Sequence, residues 1–164
     1  MPHRVARPWL LAASALMVVG ALFHLGILVS GGRGYALLGA PAGLVALVGT
    51  GSWRPAASCV VIAALLLLGA AYGFSGAGVL RRLPGTRVVL GAIAAILLAR
   101  GLVLPALAGW DPQLLRGLCG RCEGVNGFVL VTSALCLAVG TGFAIGAWQD
   151  RQAPRRTGDV ASLR

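Results

Sequence analysis

The chain has 164 residues, of which 58% are hydrophobic and only 11% charged, with a formal net charge of +10 and a mean hydropathy of +0.88. Soluble globular domains carry roughly a quarter charged residues, so this composition excludes one and places the chain in a bilayer. All fourteen basic residues are Arg; all but Arg100 fall in short loops and tails beside apolar runs, where they orient a membrane protein and meet anionic headgroups, and no nucleic-acid partner is expected.

In chain order, the apolar runs cover residues 9–29, 56–78, 88–108 and 125–148. At about 1.5 Å per residue each can cross a hydrocarbon core of roughly 30 Å. Four spans leave little room for a second domain, so residues 1–149 read as one transmembrane domain. The first run follows the basic stretch "MPHRVARPW" as a signal peptide would. It is longer than a signal core, however, and no small-x-small cleavage site comes before "VSGGRG", so it is expected to remain as a span.

Residues 35–51, "YALLGAPAGLVALVGTG", are apolar enough to pass for a fifth span but are short and carry Pro41 near the centre. Counting them as a span would send Arg81, Arg82, Arg87 and the Arg-bearing tail outside. Four spans with a cytoplasmic N-terminus instead place nine Arg residues inside against four outside, namely Arg33, Arg54, Arg116 and Arg121. That is the bias that sets membrane topology. The segment is therefore expected to be a re-entrant or interfacial helix on the outer face, buried against the other helices, with both termini cytoplasmic. Tryptophan favours the bilayer interface, and Trp9 with Trp148 falls at the inner ends, Trp53 with Trp110 at the outer ones. Residues 150–164 turn polar and weakly patterned, as a disordered cytoplasmic tail does.

Small residues four apart let membrane helices approach closely. Gly69 with Gly73, Gly142 with Gly146, and Gly39 with Gly43 offer such faces, for packing within the bundle or for a homo-oligomer.

Two titratable or charged side chains lie inside spans, where each is costly enough to be a functional candidate. His24 sits about 22 Å along the first span and Arg100 about 18 Å along the third, both in the outer half. The pair is expected to share a cavity that holds a lipid-like or quinone-like molecule, and Arg54 at the outer start of the second span is a third ligand-binding candidate. No span contains an acid, so Arg100 would need backbone carbonyls, water, a loop acid such as Asp111 or Glu123, or an anionic or carbonyl-bearing ligand. The competing readings are snorkelling of Arg100 to the interface and a neutral His24 bonded to a neighbouring helix.

The stretch "RGLCGRCEGVNG", residues 116–127, sets Cys119 and Cys122 in a Gly-rich outer loop. An outer bacterial face is oxidising, and Cys59 begins the second span at the same face, so Cys119, Cys122 and Cys59 are the disulfide candidates. A structural disulfide is one reading. A thiol oxidoreductase passing electrons from Cys119 and Cys122 to a quinone is the other, although a CxxC pair is activated best at a helix start or beside a base. Cys136 reads as a buried apolar filler. A closed zinc site needs four ligands and none assembles around this pair, so no metal is expected.

At the inner side, Gly76 and Gly78 end the second span and Pro84 blocks helix continuation. Arg81, Arg82 and Arg87 then face inner-leaflet phosphates. The loop lacks the Lys and the strand context of a phosphate-binding loop.

The stretches "LLGAPAGLVALVGTGSWRP", "YGFSGAGVLRRLPGTRVVL", "LLARGLVLP" and "TSALCLAVGTGFAIGAWQ" resemble a family of small four-pass bacterial inner-membrane proteins without an assigned function. The likeness covers roughly residues 20–148. Members of that family carry a Glu after a Gly-Ala-Gly turn, where this chain has Pro41 and Ala42 and no acid, and the CxxC lies outside the family pattern. The resemblance implies a bacterial inner-membrane location. The expected fold is all-α, a bundle of four transmembrane helices with the outer segment between the first and second. The expected role is non-enzymatic: binding a lipid or quinone, or supporting a membrane assembly with a membrane-protein partner. A thiol oxidoreductase and a small transporter are the alternatives, the latter lacking an internal repeat and a charged path.

Overall fold

The computed structural model describes residues 8–116, 119–122 and 124–152, and every element among them is helical. In chain order these are α1 (Pro8–Ile27), α2 (Gly31–Leu37), α3 (Ala42–Ala46), α4 (Arg54–Ala77), α5 (Thr86–Trp110), α6 (Pro112–Arg116) and α7 (Gly127–Gln152). Four of them, α1, α4, α5 and α7, hold windows of mean hydropathy 2.2 or 2.3 and are long enough to cross a membrane. Their outward side chains are apolar as well: Leu22, Phe23, Leu65, Ile96 and Val131 are all exposed. That surface suits acyl chains and not water.

The long helices form an antiparallel ring. Each packs on its neighbours in the chain, α7 closes onto α1, and α4 meets α7 across the short diagonal, while the α1 and α5 backbones stay apart. Leu10, Leu90 and Phe143, all with no exposed surface, fill the centre. Trp9 and Trp148 project at the end that carries the chain termini, and Trp53 and Trp110 at the opposite, capped end; all four are exposed.

Glycine decides how close the helices come. A Cβ on Gly69 would stand 2.7 Å from Met17 Cε, and one on Gly73 would run into Ser14. A Cβ on Gly142 would meet the Ala13 Cβ at 2.8 Å and the Trp9 carbonyl oxygen at 3.0 Å, and one on Gly146 would meet Leu10 at 2.9 Å. The glycine faces of α4 and α7 thus receive one helix, α1, between them. Gly101 and Gly140 do the same for α5 against α7, where Gly101 abuts the Ser133 carbonyl. The third expected pair, Gly39 with Gly43, shares no helix face: Gly39 lies between α2 and α3, and a Cβ on Gly43 would meet nothing within 4 Å.

The 35–51 segment is no fifth span. It contributes to two helices of seven and five residues, separated at Gly39, whose φ of 75° no L side chain adopts easily. The long helices outrun the apolar runs at several ends, so Arg54 lies in the first turn of α4 and helix continues to Gln152 at the start of the expected tail. No Pro interrupts α7 before Pro154. The rest of that tail, 153–164, lies outside the described residues, as do residues 1–7 and Glu123.

Candidate functional site

At the terminal end, α4 closes on Gly78 in the left-handed conformation, with Val79 N donating to the Phe74 carbonyl at 2.9 Å. The buried Ser75 hydroxyl then ties the loop down. It donates to the Arg81 carbonyl at 3.0 Å and accepts from Leu83 N at 2.8 Å, and Thr86 Oγ1 donates to the Leu83 carbonyl at 2.6 Å. A cleft of about 520 Å³ opens along residues 82–88. Arg81, Arg82 and Arg87 are all exposed beside it. The sequence pointed to these three arginines; the two hydroxyls that shape their loop were missed, because a Ser and a Thr within apolar helices carry no pattern of their own.

At the capped end, Cys119 and Cys122 form a disulfide, with Cα atoms 5.4 Å apart. Cys122 is fully buried beside Leu115 and Val129. The loop grips the break between α2 and α3: Gly120 N donates to the Gly39 carbonyl at 3.2 Å, and Arg121 Nη1 donates to the Leu37 carbonyl at 3.3 Å. The Arg121 guanidinium also lies 5.3 Å from the Phe128 ring centroid, within cation–π range. Asn126 joins the loop to α7, donating from Nδ2 to the Arg121 carbonyl at 2.7 Å and accepting from Val129 N at 3.0 Å. The CxxC therefore staples a clasp that holds α2 and α3 against the bundle.

Cys59 takes no part in a disulfide. It remains a buried thiol in the first turns of α4, packed with Ile27 and Tyr35. Burial, and the hydrogen bond that its hydroxyl donates to Cys59, raise the Tyr35 pKa. Titration of the wild type against Tyr35→Phe should reveal a phenol ionising above the free-tyrosine value of about 10. The sign follows from linkage: the folded state favours the neutral phenol, so its stabilisation is complete below pH ~10 and fades as pH climbs through the higher folded value. Identical alkaline titrations of parent and variant would contradict this. Cys136 is also a free thiol, half-buried in α7.

Between the two ends, His24 and Arg100 stand on α1 and α5, whose backbones stay apart. His24 is half-buried on α1 and its Nδ1 hydrogen-bonds the Gly20 carbonyl of its own helix at 2.8 Å, which ties one of its two ring nitrogens locally. Arg100 projects from α5, a helix whose backbone never approaches α1, and it is exposed on the outer surface of the bundle. Among the described residues its guanidinium has no hydrogen-bond or ion-pair partner. The Asp111 carboxylate is occupied elsewhere, accepting from Gln113 N at 3.1 Å and Leu114 N at 3.2 Å to cap α6. Arg54 is exposed at the start of α4. Among the described residues no group of His, Cys, Asp and Glu is arranged to hold a metal.

These features define a multi-pass integral membrane protein built as an antiparallel four-helix bundle with a stapled cap at one end. Comparison with protein-family models, with curated proteins and with solved structures finds no match.

Proposed function

We propose that this protein is a non-catalytic subunit of the bacterial inner membrane that acts by lateral association, supporting a membrane assembly through the outward face of α5. The observation that carries this reading is Arg100, a charge in the interior of a span, exposed and, among the described residues, without a partner. Charged side chains at such depth are rare and almost always paired. A bundle that leaves one unpaired on its bilayer surface is an incomplete object whose missing half lies in the membrane plane.

The same exposed guanidinium supports a second reading, a retained lipid or quinone bound through Arg100. The Cys119–Cys122 staple, with Cys122 fully buried, favours a structural role over thiol exchange. Topology follows the Arg bias: with Arg81, Arg82 and Arg87 at the inner leaflet, the termini are cytoplasmic and the cleft at 82–88 rests on anionic lipid.

Native mass spectrometry of wild type and Arg100→Gln, extracted from their own membranes in mild detergent, tests both readings. Assembly predicts a protein-sized added mass that the variant loses. Ligand binding predicts a lipid- or quinone-sized adduct lost in the same way. An identical, bare monomer in both samples would overturn them together.

A further inference from the structure

One outward side of α5 is built almost wholly of alanine and β-branched residues. Ala92, Ile96, Ala99, Val103, Ala106 and Trp110 are all exposed, and their spacing alternates four and three residues. Four and three are the steps of any single helix side; what marks this one is its content, Ala92, Ala99 and Ala106 alternating with the β-branched Ile96 and Val103, which also suits the seam of a helix pair. Alanine at alternate seam positions lets a second backbone approach closely in a bilayer, where packing and polar contacts drive association. In this register Arg100 directly follows Ala99 and takes the flanking position from which a helix pairs charge with its neighbour.

The charge identifies what covers the seam. Arg100 lies about 15 Å along the helix from Trp110, farther than its side chain extends, so a headgroup at the capped end is out of its direct reach. A second copy of the chain has nothing to offer it, because no span of this sequence contains Asp or Glu. Resting on the assembly reading above, we infer that α5 docks a transmembrane helix of a different protein, one that carries a carboxylate level with Arg100 and small side chains along its contact face. The ion pair selects the partner and its depth, and the alanine seam supplies the close packing.

The test reconstitutes the full chain in phosphatidylcholine vesicles with a synthetic transmembrane peptide of about 20 residues. The peptide is Leu-based with Ala at the seam positions and a single central Glu, and an otherwise identical peptide carries Gln. Energy transfer from labelled protein to labelled peptide is expected to show association about tenfold tighter for the Glu peptide. Arg100→Gln should erase that preference, Arg100→Lys should restore part of it, and Ala99→Leu should weaken both peptides. Equal association of the Glu and Gln peptides overturns the inference. So does self-association of the protein that excludes the peptide, or a wild-type preference for vesicles doped with phosphatidylglycerol that displaces it. A preference abolished by Arg100→Gln but untouched by Ala99→Leu would reject the seam while leaving the Arg100-centred assembly reading in place.

Discussion

Gly73→Leu is expected to prevent the bundle from closing. At this position α4 lies against α1 so closely that even a Cβ would overlap the Ser14 side chain and stand 3.1 Å from the Phe143 ring. Neither neighbour has room to yield: Ser14 and Phe143 have no exposed surface, and the Ser14 hydroxyl is committed to the Leu10 carbonyl at 2.7 Å. A leucine must therefore push α1 off its seat, which separates Gly142 and Gly146 from the same helix. Overpacking of a filled core costs about 1–3 kcal/mol and occasionally more, and the upper end applies here because three helices meet at the clash. Thermal unfolding in detergent, followed by helical circular dichroism, should show a large fall in midpoint or no cooperative transition. Gly91→Leu is the control, since nothing stands within 4 Å of that glycine, and it should melt like the parent. A parental melt for Gly73→Leu would mean that α1 does not seat against α4 in this register.

Gly39→Val should act locally and almost as strongly. Gly39 has φ of 75°, a conformation that costs an L residue roughly 1–2 kcal/mol and more when the side chain is β-branched. Its Cβ would also lie 2.7 Å from the Phe128 ring and 3.4 Å from Cys119 Sγ. The expected loss is about 3 kcal/mol, taken from the clasp alone, because the four long helices do not depend on this turn for their own contacts. The readouts are therefore faster reduction of the Cys119–Cys122 disulfide and new proteolysis within residues 37–52, with the melting of the long helices nearly unchanged. If both cysteines stay as protected as in the parent, the loop does not grip Gly39.

The CxxC shows well where sequence reading stops. Spacing and compartment allow Cys119 and Cys122 to pair, but whether the pair is a staple or a reactive centre depends on what the loop touches. Those contacts, Gly120 to Gly39 and Arg121 to Leu37, join residues more than eighty positions apart. His24 and Arg100 make the same point in the other direction. Depth along a span follows from counting residues, so their similar level was legible. The azimuth was not, since a helix that is apolar on all sides gives no amphipathic signal of which face turns inward. In a soluble protein the polar face would have marked the outside.

Four spans, their approximate ends and the Trp and Arg belts follow from the sequence itself, because transfer into a bilayer sums over about 20 neighbouring residues and needs no distant contact. The glycines that admit α1 could be picked out by their spacing, though not the helix that would fill them. Tertiary structure alone decided that α1 sits between α4 and α7, that the 35–51 segment contributes to two short helices under a stapled clasp, and that Arg100 is exposed with no partner among the described residues. Each of these depends on side-chain shape where separate helices meet. Hydropathy measures the affinity of a segment for lipid, and it carries no information about which side of that segment another helix will cover.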